Sequence, residues 1–131
     1  MMTPLRMPLD PTRPVDPGEI FWITLPELGG SAQHGRRPCI VMSRRALSTG
    51  NTLVIVPMSS NTSRANSHRV LLPESEIIKD LGCESEITTS VAVCSQVMVM
   101  DKRYFENRIG KLSQNAVLAV QLGLVYLFDI R

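Results

Sequence analysis

The residues best suited to chemistry lie together in one basic segment of the chain. Between Leu28 and Pro73 the sequence contains no aspartate or glutamate. The same segment holds six arginines and both histidines, namely Arg36, Arg37, Arg44, Arg45, Arg64, Arg69, His34 and His68. A surface of one sign attracts anions, and the planar guanidinium group is well matched to phosphate. The segment therefore predicts an anion-binding surface, with a merely solvated basic face as the alternative.

Other kinds of reactive site find little support in the sequence. The two histidines, His34 and His68, lie in separate segments without a recognised ligand spacing, and Cys39, Cys83 and Cys94 lack C-x-x-C spacing. Neither a metal site nor a disulfide framework is therefore indicated. The chain has no G-x-x-x-x-G-K or G-x-G-x-x-G phosphate loop and no G-x-S-x-G elbow. Its single tryptophan and one Tyr-Phe pair argue against a base-stacking platform of the single-strand-binding type. We therefore expect no metal and no cofactor.

The basic groups flank predicted strands. Arg36 and Arg37 follow a glycine-rich loop and enter a strand at Pro38. Consecutive strand residues point to opposite faces, so the two arginines are expected to have different roles. Further polar groups lie at the end of the next predicted strand, in the loop after it, or at the start of the strand that follows: Ser59, Ser60, Arg64, His68 and Arg69. If these strands pair, the groups line one groove; the alternative is that Arg37 packs its stem and pairs with a carbonyl or with Glu19.

The elements that position these groups follow a mainly β pattern. Apolar, β-branched runs predict strands at 19–25, 39–43, 52–58, 68–72 and 88–100. The last of these alternates, with Gln96 and Met98 on the face opposite to a row of valines, and Ser95 interrupts that row in a way that fits a bulge. A short helical turn is expected within 73–81.

A C-terminal helix is predicted from Gln114 to Phe128, with Ser113 as its N-cap. The helix is apolar nearly all round, and one stripe holds Val117, Val120, Leu124 and Phe128. Such a helix is usually covered by its own sheet on one side and by a second subunit on the other. Short strands followed by one late helix favour a small, strongly bent sheet or barrel that the helix caps.

The overall composition is that of one globular domain. Residues 1–17 carry five prolines and are expected to form a flexible, proline-rich tail, with a single domain over 18–131. There is no signal-peptide pattern, and the most apolar stretch, 116–128, is too short to cross a bilayer. An odd number of dispersed cysteines fits a reducing compartment. We therefore expect a cytoplasmic protein that does not bind membranes.

Four motifs, in order, resemble the MazF/PemK toxin family: PGEIFWITL, GGSAQHGRRPCIVMS, TLVIVPMSS and SQVMVMDK. The corresponding family text is a G-[DE]-I-x-W strand, a G-x-E-Q-x-G-x-R-P-x-[LV]-V loop and strand, a V-x-P-[LM]-[ST]-[ST] strand end and a late Q-[IV]-[RK]-x-[IV]-D-K. The match runs from about Pro17 to Lys111. The resemblance implies an SH3-like small β-barrel with a C-terminal α-helix, a fold shared with the CcdB gyrase poisons, and usually a homodimer.

The resemblance also implies the toxin of a type II toxin–antitoxin pair. Such toxins are metal-independent endoribonucleases (mRNA interferases) that cut single-stranded RNA by attack of a ribose 2′-hydroxyl on the adjacent phosphate. The reaction needs a base, donors for the pentavalent phosphate and an acid for the leaving oxygen. The expected partner is an antitoxin whose acidic, disordered tail covers the arginine-rich groove. Operator DNA would be contacted only through that antitoxin.

The family motifs assign roles to several residues of this chain. The arginine of R-P falls on Arg37, which the resemblance implies stabilises the phosphate or acts as the acid, and the strand-end Ser/Thr falls on Ser59 as a hydrogen-bond donor. Arg36 is expected to steer the RNA backbone from the rim of the groove. The full set of expected RNA contacts is Gln33, Arg36, Ser60, Arg64, His68, Arg69 and Gln96.

Three positions depart from the family text. The loop acid is Ala32, the acid before the late glutamine is Ser95, and the cation two residues after it is Met98. The base would then be His34 or His68, with His34 favoured because it shares a loop with Arg37. The alternative is a catalytically impaired member that only binds RNA, an antitoxin or gyrase. A weaker third interpretation is a purely transcriptional partner of an antitoxin.

Overall fold

The computed structural model describes residues 9–27, 29–30, 35–82 and 87–130. In this part of the chain eight antiparallel strands form a curled sheet, and one α-helix follows them. The strands are β1 (Glu19–Leu25), β2 (Gly35–Val41), β3 (Thr52–Ser59), β4 (Arg69–Leu72), β5 (Ile77–Lys79), β6 (Ser90–Val93), β7 (Met98–Asp101) and β8 (Phe105–Leu112). The helix is α1 (Gln114–Phe128). This architecture confirms the prediction of a small, bent β-sheet with a C-terminal helix.

The sheet divides at β3. The strand order is β4-β6-β3-β2-β1-β8-β5, and β7 pairs with β3 as well. The first half of β3 pairs with β7, with Val54 opposite Val99, whereas its last two residues pair with β6, with Met58 opposite Ala92. The long strand β3 therefore joins two groups of strands, and its last residues pair with β6, which in turn pairs with β4.

Alternation along the strands builds one apolar cluster on each side of the sheet. The cluster beneath α1 contains Ile20, Ile40, Val56, Met58 and Val120. The opposite cluster contains Phe21, Ile23, Cys39, Ile55 and Phe105. In the second cluster the rings of Phe21 and Phe105 meet edge to face, with centroids 5.4 Å apart.

Helix α1 begins and ends where the sequence predicted. The Ser113 hydroxyl oxygen accepts a hydrogen bond of 3.1 Å from the backbone N–H of Ala116, as an N-cap does. The residues that α1 buries are Ala116, Val120 and Gly123. Phe128, expected on the same stripe as Val120, is instead exposed. The other exposed apolar residues of the helix are Leu118, Leu122, Val125 and Tyr126.

The single strand predicted over 88–100 is wrong in its middle. A 3-10 turn at Cys94–Gln96 separates β6 from β7. The turn is needed because β6 pairs with the end of β3 and β7 with its beginning, so the chain has to move along β3 between them. Gln96 and Met98 therefore do not share one strand face. The predicted helical turn within 73–81 is present only as the 3-10 turn Glu74–Glu76, which leads into β5.

Residues 9–17 pack against the sheet. Val15 is fully buried, and its backbone N–H donates to the Ser48 hydroxyl at 3.1 Å. The buried Lys102 ammonium group donates to the Pro11 carbonyl at 2.9 Å and also to the Ser48 carbonyl. This part of the expected tail thus belongs to the packed structure, residues 1–8 lie outside the described residues, and the domain boundary at residue 18 stays a prediction.

Candidate functional site

A cleft opens where β2 and β3 separate. The two strands pair only from Cys39 opposite Pro57 to Val41 opposite Ile55. Beyond that point β3 follows β6, whereas the first residues of β2 stay with β1. The space between the diverging ends is about 230 Å³. Its lining includes Trp22, Arg36, Arg37, Ser59, Ser60 and Thr88.

Arg37 and Ser59 lie on the same face of the sheet. Cys39 is opposite Pro57, so two residues further along each strand Arg37 lies across from Ser59, and both line the cleft. The Ser59 hydroxyl oxygen accepts from the backbone N–H of Asn61 at 3.2 Å, which leaves its own hydrogen to donate. The structure thus brings a half-buried guanidinium group and a hydroxyl donor to one cleft, the pair that the sequence singled out.

Arg36 points to the opposite face and has an acidic partner. Its guanidinium carbon lies 4.1 Å from the centre of the Trp22 ring, and its Nε donates to Glu106 at 3.1 Å. Thr24 donates to the other oxygen of Glu106 at 3.0 Å. Sequence reasoning missed Glu106 because it lies 70 residues away on β8, a strand that was not predicted. The alternation of Trp22 and Thr24 along β1 was the one signal that could have placed them beside Arg36.

Glu19, considered as a partner for Arg37, is engaged elsewhere. It accepts from Arg13 at 2.8 Å and from Arg108 at 2.9 Å. Arg108 also binds Asp80. Burial alone disfavours the charge of Arg108, but hydrogen bonds to Asp80 and Glu19 outweigh that effect and raise its pKa. Glu19, Arg13 and Arg108 line a second, larger cleft of about 800 Å³ beside the first turns of α1, where charges of both signs meet.

His68 and Arg69 lie on different faces. His68 stacks against Tyr126 of α1, with ring centroids 6.3 Å apart and planes 2° from parallel, so it lies on the helix side of the sheet and away from Arg37. Arg69 pairs with Val93 of β6, and Ser59 pairs with Val91 of the same strand. Because Val91 and Val93 lie two residues apart, they share one face of the sheet, and Arg69 therefore shares the face of Ser59. Its buried Nε has no hydrogen-bond partner among the described residues. Arg64 lies exposed in the loop between β3 and β4.

The remaining predicted positions are only partly described. Gln33, His34 and Ala32 lie outside the described residues. Gln96 is partly buried in the 3-10 turn before β7. Met98, at the position of the family cation, packs against the apolar cluster on the side opposite to α1.

The two described cysteines are poor nucleophiles. Burial raises the pKa of the Cys39 thiol to about 12 and that of Cys94 to about 11. Both thiols are therefore protonated at neutral pH. Among residues 9–27, 29–30, 35–82 and 87–130, no three His, Cys, Asp or Glu side chains lie close enough to hold a metal ion. In the same ranges no helix has the length and apolar character needed to cross a membrane.

Comparison with known proteins identifies relatives of this fold. A family model described as the PemK-like, MazF-like toxin of type II toxin-antitoxin systems matches residues 16–128. A crystal structure of MazF from Deinococcus radiodurans is 20% identical with a TM-score of 0.69, over 90% of this chain and 99% of that chain. The Mycobacterium tuberculosis toxin MazF-mt6 is 17% identical with a TM-score of 0.66, over 91% and 99% of the two chains.

A third similar structure is a mycobacterial endoribonuclease in complex with its cognate antitoxin. It is 15% identical with a TM-score of 0.66, over 89% of this chain and 97% of that chain. At these identities the structural likeness shows the fold alone. No curated protein matches this chain in sequence.

Proposed function

Because the chain belongs to the PemK-like, MazF-like toxin family of type II toxin–antitoxin systems, we propose that it is an endoribonuclease that cleaves single-stranded RNA without a metal ion. The observation that carries this proposal is the placement of Arg37 and Ser59 on one face of the sheet, at one cleft. Both belong to a segment without acidic residues, which favours an anionic substrate.

The chemistry follows from the groups at the cleft. The ribose 2′-oxygen forms a bond to the adjacent phosphorus while the bond from phosphorus to the 5′-oxygen breaks, which leaves a 2′,3′-cyclic phosphate and a 5′-hydroxyl. Arg37 stabilises the charge that develops on the phosphate oxygens, and Ser59 donates a hydrogen bond to one of them. A base accepts the proton of the 2′-hydroxyl, and an acid donates a proton to the leaving 5′-oxygen to give the 5′-hydroxyl. His34 stays our prediction for the base and Arg37 for the acid.

The proposal includes partners and a location. The exposed apolar side of α1 supports a homodimer, since Leu118, Leu122 and Val125 would be covered by a second copy. An antitoxin with an acidic, disordered tail would neutralise the basic face that carries Arg37 and Arg69, and would provide the contact with operator DNA. We place this activity in the cytoplasm.

Cleavage of RNA in the presence of EDTA tests the proposal. Purified protein should cut single-stranded RNA under these conditions, and Arg37→Ala should lower the rate by about 100-fold or more, the usual effect of removing one donor to a developing oxyanion. Ser59→Ala should slow the reaction as well. Arg44→Ala, which removes an exposed arginine of the same basic segment outside the cleft, is the control. Intact RNA at high protein concentration, or equal rates for Arg37→Ala and wild type, would remove the nuclease proposal.

A second candidate function is binding without cleavage. It is favoured by Met98, which packs into an apolar cluster where the family text has a cation. Induced expression separates the candidates: growth arrest with degraded RNA supports the nuclease, whereas arrest with intact RNA and damaged DNA supports a gyrase-directed binder.

A further inference from the structure

Arg36 is held in one orientation by contacts on two sides. The guanidinium carbon lies 4.1 Å from the Trp22 ring centre, so the group packs on the face of the indole. Nε donates to Glu106 at 3.1 Å, and Glu106 is itself fixed by the Thr24 hydroxyl at 3.0 Å. The Arg36 side chain nevertheless keeps 41% of its surface exposed, whereas that of Glu106 keeps 12%. Arg36 thus presents a fixed, planar and partly exposed group. It is also among the residues that line the cleft, whose lining takes residues from both faces of the sheet, Trp22 from one and Arg37 from the other.

The partner of Arg36 makes it poorly suited to steering phosphates. The Glu106 carboxylate neutralises its charge at close range, so little long-range attraction for an anion remains. The planar shape of the guanidinium group is unaffected by that pairing. In RNA recognition such planes stack on unpaired bases, as aromatic side chains do. The geometry therefore suits a base better than a backbone phosphate.

The cleft has the size and chemistry of a slot for one base. Its volume of about 230 Å³ equals the room of about eight water molecules, enough for a single planar ring system. Pro38, Met58 and Ile87 provide apolar walls. Ser60 and Thr88 also line the cleft, and the hydroxyl group of each can donate or accept a hydrogen bond at the edge of a base.

We propose that Arg36, supported by Trp22, is a stacking platform for one nucleobase next to the scissile phosphate, and that Glu106 is its positioning residue. This inference rests on the proposed binding of single-stranded RNA. It replaces the expectation that Arg36 steers the RNA backbone, and it divides the two adjacent arginines into one that binds the phosphate and one that binds a base.

The test uses single strands that cannot be cleaved. A 12-nucleotide 2′-fluoro RNA pool of mixed sequence lacks the attacking hydroxyl, and an abasic strand with the same number of phosphates lacks only the bases. Trp22 is the sole tryptophan of the chain, so its fluorescence reports on the platform directly. We expect the base-bearing pool, and not the abasic strand, to change this emission and to bind more tightly.

Variants separate stacking from charge. Arg36→Lys keeps the charge but loses the plane, so binding of the base-bearing pool should weaken about fivefold or more, with the abasic strand unaffected and the salt dependence unchanged. Glu106→Gln frees the charge of Arg36, so base discrimination should fall while the slope of log K against log salt steepens by about 0.7. Arg44→Lys is the matched control, and thermal melting checks that each variant is folded.

Three outcomes would overturn the inference. The first is that Arg36→Lys weakens binding of the base-bearing pool and of the abasic strand equally. The second is a slope of log K against log salt that is unchanged in Glu106→Gln and shallower in Arg36→Ala, because that combination marks a phosphate contact of Arg36. Either result leaves the nuclease proposal standing if cleavage in EDTA still depends on Arg37. The third is a wild-type protein that binds neither strand, which removes the proposed RNA binding and this inference with it.

Discussion

Replacing Lys102 by methionine should destabilise the protein by about 2 kcal/mol. The variant keeps the length of the side chain but removes the donor to the carbonyls of Pro11 and Ser48. A buried carbonyl without a donor costs about 1–3 kcal/mol. Pro11 is exposed and its carbonyl can regain water, whereas Ser48 is 1% exposed and its carbonyl cannot. The loss of stability therefore comes mainly from the Ser48 carbonyl. Removal of the buried ammonium charge offsets the remaining cost, that of the Pro11 carbonyl.

Two measurements check the Lys102→Met prediction. Urea unfolding gives the free energy of unfolding, and hydrogen exchange at the Val15 amide, which donates to Ser48, reports whether residues 9–17 stay packed. We expect faster exchange at Val15 together with the lower stability. Lys111→Met, at an exposed lysine of β8, is the control. A Lys102→Met protein within 0.5 kcal/mol of wild type, with Val15 equally protected, would refute the reasoning.

Three further predictions concern stability. Gly110→Ala should cost about 1–3 kcal/mol in thermal melting, because a Cβ there meets the backbone carbonyl of Ile78, which cannot rotate away; an unchanged melting temperature contradicts this. Ser113→Ala removes the cap at Ala116 and should lower the free energy of unfolding in urea by about 1 kcal/mol. A variant that loses helix content without losing this stability would argue against the prediction. Because the pKa of Cys39 rises from 9.0 to about 12 on folding, stability should fall as pH rises from 9 towards 12, since the unfolded thiol loses its proton first; Cys39→Ala should flatten that slope, and an equal slope would exclude Cys39 as its source.

Local signals in the sequence were sufficient for much of the fold and for placing Arg37 and Ser59 at one cleft, whereas their catalytic roles stay predictions. The bounds of β1 and α1 were predicted because an apolar run bounded by Pro26, and a cap at Ser113, mark those ends within a few residues. Arg37 and Ser59 were singled out because each lies in a family motif, Arg37 near the start of β2 and Ser59 at the end of β3. Their common face then follows from antiparallel pairing of adjacent strands.

Features that depend on distant pairing were not predictable in this way. Strand β8 mixes charged and apolar residues without alternation, so its pairing with β1, and with it the Arg36–Glu106 contact, left no local pattern. The 3-10 turn at Cys94–Gln96 exists only because β3 pairs with β7 and β6 in succession. The buried Lys102 was likewise unforeseen, since its acceptors lie 54 and 91 residues away.

The division of the sheet at β3 has a mechanical consequence for the site. Arg37 stands on the β1–β2 side of the division, and Ser59 stands where β3 has already joined β6. The separation between the two groups that would contact one phosphate therefore depends on how far β2 and β3 diverge beyond Cys39 and Pro57, where their pairing ends. A substitution in β4 or β6 that contacts no RNA can change this separation by altering the curvature of the sheet. The spacing of the two groups is thus a property of sheet curvature as much as of the two residues themselves.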